Sequence, residues 1–282
     1  MENSGSLVAP PSTLVEIAGR TFCVPTVDGW RWHLSEPWMV DLQKGLMTAR
    51  KGTFVDVGMN LGQTLLAVKA IDPARHYIGF EPNPQCFAYC EQLTQLNQLP
   101  NVSLVPVGLS SNTGIARLHL YSNSRTDSCA SLVDNFRPDQ PVVSVKFVPV
   151  FSFSDLSKTF VMGEIGILKI DVEGGEWDVL QPMETTLKSS RPWIVIEILP
   201  CYHSKNTQRI ARQELIAAML RRLDYRIFRI RKWSNGRLQG LEPLDDIGVH
   251  SSIALSDYVL CPRHDFDKVV AAVSTRDRKS VV

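Results

Sequence analysis

From Thr53 onward, continuously apolar runs alternate with stretches whose apolar residues recur every three or four positions. Thr53–Val57, His76–Phe80, Val102–Val107, Ile165–Ile170 and Trp193–Ile198 read as strands, and Tyr225–Ile230 and Tyr258–Leu260 as the last strands. Gln63–Ile71, Pro84–Asn97, Gly175–Leu187 and Thr207–Leu223 read as helices. Strands without polar alternation need cover on both faces. The pattern therefore predicts an α/β fold: a mostly parallel seven-stranded sheet with helices on both faces, spanning residues 51–262.

One region breaks the rhythm. Gly114–Tyr121 and Val142–Val150 look like strands joined by the polar loop Ser122–Ser128, which predicts an inserted antiparallel hairpin near the carboxyl edge of the sheet. Ligands of such folds bind at that edge, so the insertion is placed to shape a substrate site. Residues 13–50 read as a prelude packed on the core. It holds a short strand around Val15–Val24, then Trp30, Trp32 and Trp38, and a helix from Glu36 with Pro37 in its first turn. Residues 1–12 are polar and proline-rich and are expected to be disordered, and residues 263–282 form a C-terminal tail.

Composition narrows the function classes. Lys plus Arg total 30 against 29 Asp plus Glu, so the basic excess of a nucleic-acid-binding domain is missing, and no nucleic-acid partner is expected. The local run Arg221, Arg222, Arg226, Arg229, Arg231 and Lys232 fits a solvated helix end and an outward strand face. The six cysteines lack the paired spacing of a zinc site, and Cys86 and Cys90, four apart on a helix, read as one packed face. No leader or membrane-length apolar segment is evident, which points to a soluble, cytoplasmic protein with reduced thiols and no membrane span.

Candidate chemistry sits at three strand ends. The first strand runs into Asp56-Val57-Gly58-Met59-Asn60-Leu61-Gly62, whose glycines let the backbone turn sharply and approach a bound nucleoside. A nicotinamide-dinucleotide turn would show Gly-x-Gly-x-x-Gly facing a pyrophosphate; here Asp56 opens the turn, and an anion suits a cationic nucleoside better. The second strand ends in Glu81-Pro82, a carboxylate placed to accept both hydroxyls of a ribose. The third block, Lys169-Ile170-Asp171-Val172-Glu173-Gly174-Gly175-Glu176, gathers charges at the end of a buried strand, where they must pair, line a cleft or meet a ligand. Taken without the others, each block also reads as a capped turn or a structural ion pair.

These three blocks, in this order and with Ile196-Glu197 on the next strand, resemble the FkbM family of methyltransferases. The likeness covers roughly Glu36 to Glu197, and the third block is its most specific part. It implies a class I, Rossmann-like methyltransferase fold and S-adenosyl-L-methionine as cofactor, with O-methylation of sugar hydroxyls or natural-product alcohols. Asp56, Gly58, Asn60, Gly62, Glu81 and Pro82 are then the cofactor-binding residues. Asp171 is the preferred base, with Glu173 and Lys169 beside it, and Glu197 and His203 as further candidates. Asp171, Glu173 and Glu197 could offer oxygen ligands to magnesium, but the spacing does not require a metal and none is assigned. Arg125 and its neighbouring serines are candidates for contacting a carbohydrate or other small-molecule acceptor.

Two positions depart from the family pattern. Met59 stands where the family usually has Ala, and around Phe151–Leu156 the familiar Thr-Leu-Asp is only partly kept, leaving the roles of Ser154 and Asp155 open. Two other readings are carried: a methyltransferase acting on a small natural-product hydroxyl or carboxyl, and a non-catalytic cofactor-binding partner protein.

Overall fold

The computed structural model describes residues 12–26 and 36–274; of the segment 1–12 expected to be disordered, residues 1–11 lie outside them, as do Trp30 and Trp32, and Ser12 opens the first strand. The prelude opens with β1 (Ser12–Ile17) and β2 (Arg20–Pro25), a hairpin where one short strand was expected. Its two turn residues, Ala18 and Gly19, both have positive φ, the geometry that matches the twist of paired strands. Helix α1 (Pro37–Ala49) follows, with Pro37 in its first turn.

The main alternation is β3 (Thr53–Val57), α2 (Gln63–Ile71), β4 (Tyr77–Phe80), α3 (Pro84–Leu96) and β5 (Val102–Val105). After an inserted segment it resumes with β9 (Ile165–Ile170), α5 (Glu176–Leu180), α6 (Glu184–Ser190), β10 (Trp193–Glu197) and α7 (Thr207–Arg222). The chain closes with β11 (Tyr225–Lys232), β12 (Leu238–Leu244), β13 (Asp257–Pro262) and α8 (Phe266–Ser274). The helix expected over Gly175–Leu187 is interrupted: Pro182 has no N–H to give, and Gln181–Met183 tightens into a 3-10 turn between α5 and α6.

The main sheet has eight strands rather than seven, in the order β12-β11-β13-β10-β9-β3-β4-β5. Strands β5, β4, β3, β9 and β10 are mutually parallel, and β13 enters antiparallel between β10 and β11. The added strand is β12, folded back on β11 through a turn in which Gly236 takes φ +76°.

Successive side chains of a strand face opposite sides, and the core divides accordingly. Val55, Val57, Ile78, Phe80, Leu168 and Ile170 face a layer built from α5, α6 and α7, including Val179, Leu187, Ile216 and Leu220. Phe54, Tyr77, Ile167, Trp193 and Val195 face the layer of α1, α2, α3 and α8, where Leu42, Leu65, Leu93 and Val269 meet them. The residues grouped as a C-terminal tail thus include α8, packed on α1. The approach is close: a Cβ on Gly45 of α1 would stand 2.4 Å from the Ala272 carbonyl oxygen of α8.

The insertion differs from a simple hairpin. β6 (Gly108–Ser110), β7 (Gly114–Leu120) and β8 (Ser144–Ser152) make a separate three-stranded sheet in the order β6-β8-β7, followed by the short helix α4 (Phe153–Leu156). β7 and β8 pair antiparallel as expected, while β6 joins β8 in parallel. The strand expected to reach Val107 stops at Val105 because Pro106 cannot donate to the ladder, and a tight Val107 N to Val105 O bond of 2.9 Å turns the chain into β6.

Candidate active site

From β3 the chain continues to β4 and β5 on one side, while β9 and β10 lie on the other. Such a reversal leaves a crevice at the carboxyl ends of the central strands. A cavity of about 260 Å³ opens there. It is lined by the β3–α2 turn (Gly58, Asn60), the β4 exit (Glu81, Pro82), the β9 exit (Asp171, Glu173) and Glu197, and by Glu36 and Asp127 from the prelude and the insertion.

The first turn is shaped by close backbone contact. Gly58 has φ +85°, and a Cβ there would stand 1.9 Å from the Asp171 carbonyl oxygen, so only glycine lets the ends of β3 and β9 meet. Asp171 N donates to Val57 O at 3.0 Å and closes the same junction. Asn60 N donates to Glu81 Oε2 at 2.9 Å, and Asn83 N to Glu81 Oε1 at 2.8 Å. The Glu81 carboxylate is thereby aimed by two backbone donors and keeps acceptor capacity on each oxygen. Burial pushes it up to about 7, against the lowering effect of those donors. Cys86 and Cys90, both fully buried on α3, support the turn from below: Cys90 Sγ donates to Asn60 O at 3.1 Å.

Met59 fits for a local reason. A Cβ on Gly79 of β4 would stand 2.5 Å from Met59 Sδ, so the larger side chain at this position lies in space that glycine leaves open.

Asp56 and Gly62 are not among the residues lining the cavity. Asp56 is fully buried beneath it, accepting from Tyr77 Oη at 2.6 Å and standing 3.4 Å from Lys169 Nζ. Burial holds the Asp56 carboxyl above its ordinary value, opposed by Lys169 and Tyr77. Gly62, at φ +77°, caps α2.

The charges of the third block each find a partner. Lys169 Nζ donates to Asp171 Oδ2 at 3.2 Å while facing Asp56. Burial opposes its charge, but Asp171 and Asp56 hold its ammonium well above the ordinary lysine range. Glu173 accepts from Arg137 at 2.5 Å, and Glu176 accepts from Gly174 N at 2.7 Å. Burial pushes both glutamates up to about 7.

Asp171, Glu173 and Glu197 bring carboxylate oxygens within 4.8 Å of one another. Burial, then the Asp171 and Glu173 charges, push Glu197 well above the carboxylate range.

Other candidates fall elsewhere. His203 is exposed and outside the cavity lining. Arg125 contributes its carbonyl, which accepts from Asn83 Nδ2 at 3.0 Å and so ties the insertion to the β4 exit. Asp155 accepts from Thr113 and Ser152 hydroxyls at 2.7 and 2.9 Å, and Ser152 caps α4, so this segment closes the insertion away from the cleft. Within the basic run, Arg222 pairs with Glu184 at 2.8 Å and Arg231 with Glu242 at 3.5 Å. Three residues of the site carry no sequence signal of their own: Glu36, Tyr77 and Arg137.

The strand order and the crevice at its reversal define a class I methyltransferase fold. Residues 56–227, more than half of the chain, match the methyltransferase FkbM domain, and the protein belongs to that family. It is 28% identical over 144 residues to Methyltransferase 1 of Beauveria bassiana (strain ARSEF 2860), an alignment covering 46% of this chain and 57% of that protein. The chain thus spans somewhat more than half the length of this relative. Among solved structures it is similar to methyltransferase FkbM from Methylobacillus flagellatus KT (TM-score 0.45, 14% identity, 75% of this chain and 43% of that one). It is also similar to cofactor-bound Rv0187 from MTB (TM-score 0.47, 11% identity, 85% and 84%).

The cofactor is S-adenosylmethionine, and the cleft fits it. Glu81 has acceptor capacity for ribose hydroxyls, and Gly58 leaves backbone where a side chain would intrude. No helix among the described residues is long and apolar enough to cross a membrane.

Proposed function

We propose that the protein is an O-methyltransferase that methylates a hydroxyl of a carbohydrate or glycosylated metabolite. The observation that carries this reading is the Asp171 carboxylate, at the cleft end of the central strand β9 and held by Lys169 at 3.2 Å. S-adenosylmethionine, when bound, supplies a methyl group already activated by its sulfonium. The protein then has to place the acceptor hydroxyl, exclude water and take its proton. Asp171 takes that proton. Lys169 keeps the carboxylate oriented, and Glu197, whose carboxyl is pushed up by burial and by the Asp171 charge, stands beside it and limits its rotation. Glu173, already paired with Arg137, serves as a wall of the acceptor site rather than as the base. Asp127 and Ser128 of the insertion also line the cleft and add polar partners of the kind a hydroxyl-rich acceptor needs.

The test is mass spectrometry of an acceptor panel with isotopically labelled cofactor, pairing glycosides with their aglycones. The label is expected on a sugar hydroxyl. Transfer to aglycones or carboxylic acids alone would refute the carbohydrate assignment, and no transfer to any hydroxyl would refute the O-methyltransferase reading.

A further inference from the structure

Glu36 lines the cleft, yet it serves no purpose in the fold that its position suggests. It precedes α1 as the N-cap residue, where an acidic side chain ordinarily accepts from a first-turn N–H. Here it makes no such bond. Pro37 has no N–H, Trp38 N donates to Gly236 O at 3.1 Å and Met39 N to Glu36 O at 3.0 Å, so the cap is closed by backbone. Among the described residues, Glu36 has no side-chain hydrogen bond or ion pair.

Among the described residues, its surroundings leave it short of positive charge. The charged groups facing it, among the described residues, are Asp257, Asp171, Lys169 and Lys232. Lys169 is committed to Asp171 and Asp56, and Lys232 to Asp257. The side chain is open to solvent at the cleft mouth, and the protein around the rest of it, aided by Asp257 and Asp171, pushes its carboxyl up to about 7. A cation entering the cleft beside it would relieve this strain, and a neutral group would not.

The cofactor has one cation left to place. Its ribose belongs to Glu81 at the β4 exit, and the reacting methyl must face the acceptor beside Asp171. The remaining corner of the cleft lies between the start of α1 and the first turns of α2, lined by Met39, Val40, Gln63, Thr64 and Ala67. Glu36 is the charged residue of that corner among the described residues. The N-terminus of α2 favours an anion, which suits a carboxylate and leaves an ammonium to be matched.

We infer that Glu36 is the group that recognises the α-ammonium of the cofactor's amino-acid moiety. The inference rests on the cofactor and not on the identity of the acceptor. It makes the prelude part of the cofactor site, so that the amino-acid end is read by α1 and the nucleoside end by β3 and β4.

Calorimetry on the full chain tests it, comparing wild type with Glu36→Gln. The ligands are S-adenosylmethionine, S-adenosylhomocysteine and 5′-methylthioadenosine, which lacks the amino-acid moiety. Loss of one charge-assisted contact should weaken the first two about 10- to 100-fold and leave methylthioadenosine unchanged. Unchanged homocysteine-conjugate binding overturns the inference. So does an equal loss for methylthioadenosine, which marks a structural role, or a loss confined to S-adenosylmethionine, which marks contact with the sulfonium. If Glu36→Gln does not fold, wild type is titrated with the S-adenosylhomocysteine analogue lacking the α-amino group. The same weakening is expected, and equal affinity overturns the assignment. Failure of wild type to bind S-adenosylhomocysteine would instead count against the cofactor site as a whole.

Discussion

Asp56 and Lys169 are register partners on the adjacent parallel strands β3 and β9, and their charged groups stand 3.4 Å apart on the same face of the sheet. Lys169 also reaches Asp171, so one buried ammonium links a carboxylate under the cleft to a carboxylate inside it. Removing one partner of such a pair strands the other charge in a dry interior. Lys169→Met should cost roughly 3–5 kcal/mol in denaturant unfolding, and Asp56→Asn with Lys169→Met far less than the summed single losses. Additive losses would show that the two charges do not depend on each other.

Glu81 lines the cleft with both oxygens aimed by backbone donors. Glu81→Ala should weaken S-adenosylhomocysteine by about 100-fold or more, because two hydroxyl donors lose a charged acceptor. Isothermal calorimetry reads this directly, and wild-type affinity in the variant would remove the ribose assignment.

Asp171 should separate binding from turnover. Asp171→Asn keeps the size of the side chain but not its basicity, and turnover should fall by about 10²–10⁴ while cofactor affinity is retained. A rate close to wild type, measured with any accepted alcohol, would exclude Asp171 as the base.

The Met59–Gly79 contact supplies a packing test. Gly79→Ala drives a methyl toward Met59 Sδ and toward Tyr77 Cε1, at 2.5 and 2.9 Å before relaxation. It should destabilise by about 1–3 kcal/mol, and adding Met59→Ala should restore part of that loss. A double variant less stable than the sum of the singles would contradict the proposed fit.

Buried glutamates give stability a defined pH dependence. Glu81, Glu173 and Glu176 are held at about 7 in the folded chain. The unfolded chain releases these protons near the ordinary glutamate value of about 4.3. Between the two values the folded state binds more protons, so stability falls as pH rises through this window and levels off above it. Thermal unfolding of the ligand-free protein from pH 4.5 to 7.5 should show a declining midpoint. A midpoint that climbs across this range would mean that these carboxyls are ionised in the fold.

The parts of the site legible in the sequence are those carried by short segments. The β3–α2 turn, Glu81 and the block from Lys169 to Glu176 each sit where a strand ends, and the order of strand and helix places them at one edge. Register is another matter. That Asp56 faces Lys169, and that Tyr77 reaches Asp56, follows from how parallel strands align across a long crossover, which no local pattern encodes. This is why Asp56, expected at the cofactor, lies buried beneath the cleft against Tyr77 and Lys169. Glu36 and Arg137 come to the cleft through the packing of α1 and of the insertion, and their surroundings in sequence are unremarkable. The missed strand β12 did leave a trace in Ser234-Asn235-Gly236, but Gly240 and Pro243 blur its alternation.

The inserted sheet has an apolar cluster of its own, Leu118, Leu120, Val148 and Val150, apart from the two layers that cover the main sheet. The rest of the insertion is tied to the cleft: Ser131 Oγ donates to Glu173 O at 2.6 Å, Arg137 pairs with Glu173, and Leu109 and Phe153 join the core of the main sheet. Only the outer edge of the insertion, where those four side chains meet, can therefore be repacked without disturbing the layers that cover the main sheet.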